Sequence, residues 1–263
     1  MSELSVAAIR TLKLMERLAS ESELGITELS SACGWSKASI YRILQSLLHL
    51  GYVRQNPVTE KYYLTTKLFR VGSSVIRRRG LTQTSLPVLE DLSHRTGETT
   101  NLAVLEGMEV VYLQKVESKA LIGENIRPGS HFPAHCTALG KALLTELSRD
   151  ALEAALGNGG LETCSPNSVT DLPALLEELE KTRQRGYAVD REELRPGLRC
   201  VAAAVRDGSG QAVAAISIAG PAERLTMGRL PELGQGVMEA AESISLRLGY
   251  IEPSLATVAA EMT

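Results

Sequence analysis

Residues 25–55 constrain the fold more than any other stretch, because their pattern predicts two short helices separated by a tight turn. Thr27 is predicted to cap the first helix, and Gly34 to end it, since glycine adopts a left-handed conformation without strain. Ser36 is predicted to cap the second helix, and Gly51 to end it. The apolar residues of the second helix share one face: Ile40, Ile43, Leu44, Leu47 and Leu48. The sequence therefore predicts a helix-turn-helix.

The opposite face of the second helix carries hydroxyl and basic side chains near its N-terminus: Ser36, Lys37, Ser39, Tyr41 and Arg42. Such a face is typical of a recognition helix that enters the DNA major groove. Residues 52–55 and 61–65 predict a two-stranded wing around the turn at 56–60, which indicates a winged helix-turn-helix. Thr27, Arg54 and Lys61 are further candidates for DNA contact. The alternative is a solvated helix face in an ordinary bundle.

The charge distribution favours DNA binding by the N-terminal third of the chain. The net charge of the 263 residues is −3, but residues 1–83 hold 4 Lys and 8 Arg against 6 Glu and no Asp, giving +6. The other 180 residues hold 16 basic and 25 acidic side chains, giving −9. A basic segment joined to an acidic body is typical of a DNA-binding domain attached to a second domain.

The remaining patterns predict an α+β fold in which the second domain contains an antiparallel sheet. Residues 5–20 predict an amphipathic helix whose apolar face would pack on the helix-turn-helix: Val6, Ile9, Leu12, Met15 and Leu18. Further helices are predicted at 86–96, 136–147, 150–156, 171–185 and 226–248, and strands at 99–105, 109–116, 121–126, 187–190, 200–206 and 212–219. We expect a winged helix-turn-helix domain over 1–65, a linker helix over 66–83, a ligand-binding domain over 84–250 and a tail over 251–263.

Membrane, secreted and zinc-binding proteins are not expected from this sequence. No stretch approaches the roughly 20 apolar residues of a membrane helix, and the N-terminus lacks a basic run followed by an apolar core. The four cysteines have no metal-ligand spacing: Cys33, Cys136, Cys164 and Cys200. We therefore expect a cytoplasmic protein with reduced thiols, no metal and no cofactor.

The second domain favours ligand binding over catalysis. The chain has no GxGxxG motif opening a helix, no P-loop, no GxSxG and no HExxH. A Cys200 nucleophile with His135 as its base is conceivable, but nothing in the sequence places them together, and a buried strand cysteine is commoner. The helix beginning near Cys136 opens with small residues whose backbone N–H groups could hold a carboxylate. Residues 214–220 are small as well, although close packing of a helix on a sheet explains small residues equally well.

These segments together resemble the IclR family of transcriptional regulators from end to end. The N-terminal blocks are GITELS (25–30), SKASIYRIL (36–44), LGYV (50–53) and YLT (63–65). The later blocks are GET (97–99), VYLQKVES (111–118), HCTALGKALL (135–144), TRQRGYAVD (182–190), PGLRCVAA (196–203) and AAISIAGP (214–221). The resemblance implies a dimerising linker helix and a GAF-like effector domain in a protein that binds operator DNA as a homodimer or homotetramer.

The resemblance also implies an effector pocket for a small organic or aromatic acid. Ala138 and Leu139 would lie at the start of a helix, and Asp190, Cys200 and Ser217 would surround the ligand. Phe132 and Leu198 would form an apolar wall. Relatives that bind small acids often have Ser-Ile-Ser-Gly where this chain has Ser-Ile-Ala-Gly at 217–220. The missing hydroxyl removes a donor worth roughly 0.5–1.5 kcal/mol and leaves room for a larger or less polar effector.

The sequence thus predicts a ligand-responsive transcription factor, more readily a repressor than an activator, of a catabolic operon. The alternative is a metabolite-binding sensor or enzyme whose N-terminal domain docks on protein.

Overall fold

The computed structural model of the chain describes residues 4–68, 71, 80–118, 126–156 and 160–251. Residues 66–68 and 71 are helical, while the rest of the predicted linker helix up to residue 79 lies outside the described residues. The predicted strand at 121–126, apart from its last residue, and the tail beyond residue 251 lie outside them as well. The chain forms two compact units, Met1–Arg79 and Gly80–Thr263.

Over residues 4–65 the first unit has three helices and a two-stranded wing. Its elements are α1 (Val6–Ala19), α2 (Ile26–Cys33), α3 (Lys37–His49), β1 (Val53–Gln55) and β2 (Tyr62–Leu64). The strands β1 and β2 pair antiparallel. The core draws on all five elements and on one residue between α1 and α2: Leu14, Leu18, Leu24, Leu29, Ile40, Leu44, Leu47, Val53 and Tyr62. The predicted winged helix-turn-helix is confirmed.

Two local predictions in this unit are wrong. Gly25, and not Thr27, precedes α2, and the Glu28 carboxylate accepts the Gly25 N–H at 2.7 Å in place of a capping hydroxyl. Of the predicted face of helix α1, Leu18 is buried and Met15 packs against the core, but Val6, Ile9 and Leu12 are exposed, and the unpredicted Leu14 is buried. Apolar residues lie on several sides of α1, so the side that becomes buried depends on where α2, α3 and β2 meet it.

The second unit contains a six-stranded sheet among its described residues. Its elements in chain order are α4 (Leu81–Thr96), β3 (Thr99–Glu106), β4 (Glu109–Val116), β5 (His131–Pro133), α5 (Ala138–Leu144), α6 (Arg149–Leu156), α7 (Leu172–Arg185), β6 (Ala188–Arg191), β7 (Leu198–Arg206), β8 (Ala212–Pro221) and α8 (Leu230–Arg247). The strand order is β5-β4-β3-β8-β7-β6, and every neighbouring pair is antiparallel.

Helices cover both faces of this sheet, so the second unit has two cores. Helices α4 and α8 pack on one face, against residues such as Leu102, Val201 and Ile216. Helices α5 and α7 pack on the other face, against the alanines at 103, 202 and 215. Since side chains alternate along a strand, neighbouring positions of β3, β7 and β8 belong to opposite cores. The predicted α+β class with an antiparallel sheet is confirmed, and the sheet with its covering helices fits a GAF-like domain.

Several predicted boundaries in this unit differ from the structure. Helix α4 begins at Leu81 instead of 86, because Leu81 and Ser85 are buried in the core and extend the helix backward, leaving Pro87 inside it. The segment predicted as a helix from Cys136 begins as a 3₁₀ turn, Ala134–Cys136. Helix α5 starts only after Thr137, whose hydroxyl accepts the Gly140 N–H at 2.9 Å. Strand β5 escaped prediction because it is only three residues long and ends in a proline.

Two glycines within helices of the second unit should respond oppositely to alanine. In Gly140→Ala the new Cβ would overlap the Ala134 carbonyl oxygen, so we expect the free energy of unfolding to fall by about 1–3 kcal/mol. In Gly236→Ala the Cβ meets only Leu92 Cδ1 at 4.0 Å, so we expect a gain of about 0.5–1 kcal/mol. Urea unfolding of both variants tests the pair, and a loss of equal size in both would contradict the packing described.

Candidate DNA-binding surface and effector pocket

Helix α3 is fixed at its start by local hydrogen bonds. The Ser36 hydroxyl accepts the Ser39 N–H at 3.3 Å, as predicted for an N-cap. Gly34 ends α2 with a φ of +68°, and the Ser30 hydroxyl donates to the Trp35 carbonyl at 2.6 Å. The turn between the two helices is therefore closed by hydrogen bonds on both sides, which sets the direction in which α3 leaves it.

The solvent face of α3 carries the predicted DNA-contacting side chains. Lys37, Tyr41 and Arg42 are exposed, and Arg54 is exposed on β1 of the wing. Lys37, Arg42 and Arg54 form no ion pair with any residue described in the first unit. Positive charges without an internal partner remain available to phosphates, whose neutralisation dominates protein–DNA affinity.

Five of the eight residues predicted to contact DNA line two grooves of this unit. Ser36, Ser39 and Arg42 line a groove between α1 and α3, together with Arg10, whose guanidinium lies 5.5 Å from the centre of the Trp35 ring. Arg10 was not among the residues predicted to contact DNA, and it lines the same groove as Arg42.

Thr27 and Lys61 line the second groove, between α2 and the wing. Lys61 Nζ pairs with Glu28 Oε1 at 2.9 Å, a contact that raises the pKa of Lys61. The Gly25 N–H and the Lys61 ammonium together lower the pKa of Glu28. The charge of Lys61 is thus partly balanced within the protein, unlike that of Arg42.

The second unit contains a pocket between the sheet and the start of α5. Its free volume is about 10 Å³, which is room for roughly one water molecule. Six of the seven residues predicted for the effector site line it: Ala138, Leu139, Asp190, Leu198, Cys200 and Ser217. The seventh, Phe132 on β5, does not line it but packs edge-on against Tyr112, which does, with ring centroids 5.7 Å apart.

Strand pairing assembles this pocket from distant parts of the chain. Ser217 pairs with both Asn101 and Ala202, and Cys200 pairs with both Asp190 and Ala219. Five further lining residues were not predicted: Asn101, Tyr112, Ile126, Thr137 and Leu194. Asn101 had a detectable signal, since asparagine is depleted in strands and this one directly precedes the apolar residues 102–105 of β3.

Two buried acceptors face no protein donor in this region. Asn101 Nδ2 donates to Ser217 Oγ at 3.2 Å, but Asn101 Oδ1 has no hydrogen-bond partner among the described residues. Asp190 Oδ1 accepts the Glu193 N–H at 2.7 Å, and its Oδ2 likewise lacks a partner in the described ranges. Because buried polar atoms are normally satisfied, these two oxygens indicate a place for a bound polar group or water.

Burial and a neighbouring ion pair both act on the pKa of the Asp190 carboxyl. Burial raises the pKa of Asp190 to about 7, although the charge of Lys141 acts in the opposite direction. Lys141 Nζ itself lies 2.6 and 2.5 Å from the two carboxylate oxygens of Glu193, and both residues are buried. The pocket therefore has a carboxyl that exchanges its proton near neutral pH.

The structure does not bring the two members of the conceivable catalytic pair into one cluster. Cys200 lines the pocket, whereas His135 Nε2 lies 2.8 Å from the Glu162 carbonyl and 3.3 Å from Cys136 Sγ. Among the described ranges no group of His, Cys, Asp and Glu has the arrangement of a metal site. No helix in the same ranges is long and apolar enough to cross a bilayer.

Comparison with known proteins matches both units. Residues 7–57 match the IclR helix-turn-helix domain, and residues 73–246 match the bacterial transcriptional regulator IclR C-terminal domain. The chain is 35% identical over 245 residues to the HTH-type transcriptional repressor AllR of Salmonella typhi, covering 93% of this chain and 89% of that protein.

Two solved structures extend the likeness to the fold. The IclR protein of Thermotoga maritima aligns with a TM-score of 0.75 at 32% identity, over 92% of this chain and 98% of that one. An IclR homologue from Microbacterium hydrocarbonoxydans, solved in complex with 4-hydroxybenzoate, aligns with a TM-score of 0.79 at 22% identity, over 92% and 97%. At that identity the second likeness concerns the fold alone.

The buried ion pair beneath the pocket gives a stability prediction. Lys141→Met leaves the Glu193 carboxylate buried without its partner, so we expect a loss of about 3–5 kcal/mol in the free energy of unfolding. Lys141→Met combined with Glu193→Gln should recover most of that loss. Lys181→Met, which breaks an exposed pair with Glu177, is the matched control and should change stability by less than about 1 kcal/mol. Equal losses in the Lys141 and Lys181 variants would contradict the importance of burial.

Proposed function

The chain belongs to the IclR family of bacterial DNA-binding transcriptional regulators, and we propose that it represses a catabolic operon in response to a small organic or aromatic acid. As a member of this family it is a ligand-responsive regulator and not an enzyme. In our proposal it acts in the cytoplasm as a homodimer or homotetramer on double-stranded operator DNA. Repression is proposed because AllR, 35% identical to this chain, is a repressor.

The observation that carries the DNA-binding part is the set of cations on and beside α3 that form no ion pair with the described residues of this unit. Arg42 lies in the groove with Ser36 and Ser39, and Lys37 and Tyr41 are exposed on the same helix. In our proposal these side chains meet base edges and phosphates in the major groove, while Arg54 approaches the backbone from the wing. Thr27 and Lys61 have a weaker case, because Lys61 already pairs with Glu28.

The pocket supports an effector that combines an acid group with an apolar body. Its walls include Tyr112, Leu139 and Leu198, and with a free volume of about 10 Å³ these walls must move apart when an organic acid binds. Ser217 Oγ receives a hydrogen bond from Asn101, so its own proton can be donated to a ligand. The backbone N–H groups of Ala138 and Leu139 belong to the first turn of α5, where no intrahelical acceptor exists.

The identity of residue 219 favours an aromatic or otherwise less polar acid. Ala219 lines the pocket next to Cys200, where a serine would add a donor. We propose 4-hydroxybenzoate, the ligand in the Microbacterium hydrocarbonoxydans homologue, as the first compound to assay, with benzoate and pyruvate for comparison. Effector binding would reposition the paired DNA-binding domains through the linker helices, which couples the two sites.

Arg42→Ala tests the DNA-binding surface. Against the duplex that flanks the gene, we expect affinity to fall by about 1–3 kcal/mol, and the log–log salt slope to become shallower by about 0.9 if the contact is to phosphate. Arg17→Ala is the matched control, because Arg17 lies on α1 and is already paired with Glu21 at 2.8 Å. Fluorescence anisotropy across a salt series measures both. Unchanged affinity in the Arg42 variant would show that Arg42 does not belong to the DNA-binding surface. If the wild type shows no salt-dependent DNA binding, the alternative in which the N-terminal domain docks on a protein is favoured.

Effector binding should weaken as pH rises through about 7. Neutral Asp190 can donate to a carboxylate, whereas ionised Asp190 repels it, so binding of an anion favours the protonated form of a carboxyl whose pKa is about 7. If only that form binds, the affinity for 4-hydroxybenzoate should be about tenfold lower near pH 8 than near pH 6. Asp190→Asn keeps the donor without the charge and should abolish this pH dependence. Titration calorimetry tests this, and affinity that rises with pH would show that Asp190 serves as an acceptor.

A further inference from the structure

A cluster of thiols lies beside the pocket but outside it. It consists of His135, Cys136, Cys164 and Ser168, and is called the thiol cluster below. Cys136 Sγ lies 3.3 Å from His135 Nε2 and 3.8 Å from Ser168 Oγ. None of the four residues lines the effector pocket, so the function proposed above leaves the cluster unused.

Hydrogen bonds hold the two cysteines of this cluster next to each other. Ser168 Oγ accepts the Cys164 N–H at 3.0 Å and the Ser165 N–H at 2.8 Å, while Cys136 Sγ touches the same hydroxyl. His135 Nε2, 2.8 Å from the Glu162 carbonyl, ties the 162–168 segment to the 3₁₀ turn that carries Cys136. All four cysteines of the chain are free, so this pair is reduced in the structure.

The two thiols differ in exposure. Cys164 is partly exposed, whereas Cys136 is fully buried. Burial raises the pKa of Cys136 in spite of the nearby imidazole. Burial alone would lower the pKa of His135, but its contacts with Cys136 and the Glu162 carbonyl outweigh burial and raise it. An oxidant from solvent therefore reaches Cys164 first. The His135 imidazole lies close enough to Cys136 to stabilise a thiolate there.

We propose that Cys136 and Cys164 form a reversible disulfide when the protein meets a peroxide. The Cys164 thiolate attacks one oxygen of hydrogen peroxide, the O–O bond breaks, and a sulfenic acid forms while hydroxide leaves and takes up the thiol proton as water. Cys136 Sγ then attacks the sulfur of that sulfenic acid. The S–S bond forms, and the hydroxide that leaves takes the Cys136 proton as a second water. Two thiols are oxidised and one peroxide is reduced to two waters, and an external dithiol reverses the reaction.

The disulfide would restrain the wall of the pocket. Thr137, Ala138 and Leu139 directly follow Cys136 and line the pocket. A covalent link from Cys136 to Cys164 would tie the 3₁₀ turn that precedes α5 to the 162–168 segment. This effect on the pocket does not depend on which effector binds there, and the disulfide can be detected without DNA or effector.

The test is peroxide oxidation of the full-length protein followed by counting and mapping of thiols. The unfolded wild type should show four free thiols before oxidation and two afterwards, with one cross-linked peptide joining Cys136 and Cys164. Dithiothreitol should restore all four. Cys164→Ser and Cys136→Ser should each lose the cross-link, whereas Cys33→Ser, changed in the other unit, should keep it. Circular dichroism and thermal unfolding confirm that each variant is folded.

A second measurement follows the proposed restraint directly. Hydrogen exchange of the peptides covering 134–144 should be slower in oxidised than in reduced wild type, and the same in both states of Cys164→Ser. Higher oxides at Cys164 with Cys136 still free, a cross-link that involves another cysteine, or a cross-link that forms only after unfolding would each overturn the proposal. An unchanged exchange rate in a fully cross-linked protein would overturn the restraint of the pocket.

Discussion

Burial of β8 on both of its faces is the constraint on which the C-terminal unit depends. Alternate residues of this strand pack against α4 and α8 on one face, where the side chains are as large as Ile216 and Ile218. The other face carries Ala215, Ser217 and Ala219, which are small. Because an interior packs densely, a strand that places large residues on one side and small ones on the other leaves space on the second side. The pocket is that space, closed over by the start of α5.

Buried charged groups lie beneath the pocket, where α5 packs on this small-residue face of the sheet. Helix α5 carries Lys141 into the interior, where Glu193 balances it and Asp190 lies close to both. Desolvation makes an unpaired buried charge costly, so the pair forms and Asp190 retains a proton more readily than an exposed carboxyl does. The pKa of Asp190 near neutrality is thus a result of packing. The thiol cluster lies next to these groups, since its Cys136 belongs to the 3₁₀ turn that precedes α5.

In the N-terminal unit, basic side chains that form ion pairs within the protein differ from those that are proposed to contact DNA. Arg17 and Lys61 are paired with Glu21 and Glu28, whereas the basic residues on the exposed face of α3 have no such partner within the described part of that unit. An excess of six positive charges over residues 1–83 does not by itself say where DNA binds. The direction of α3, fixed by its cap and by Gly34, turns that excess into a surface of defined shape.

The sequence alone determined the structural features that depend only on residues close together in the chain. The capping serine before α3, the left-handed glycine after α2, the wing and the short apolar runs of β7 and β8 are all local patterns, and so the helix-turn-helix and the sheet class could be predicted. The resemblance to a family supplied six residues that line the pocket. Only the tertiary structure decided which face of α1 is buried, how far α4 extends backward, and that Asn101 joins Ser217. Strand register and helix docking depend on contacts between residues far apart in the chain, and no local periodicity records them.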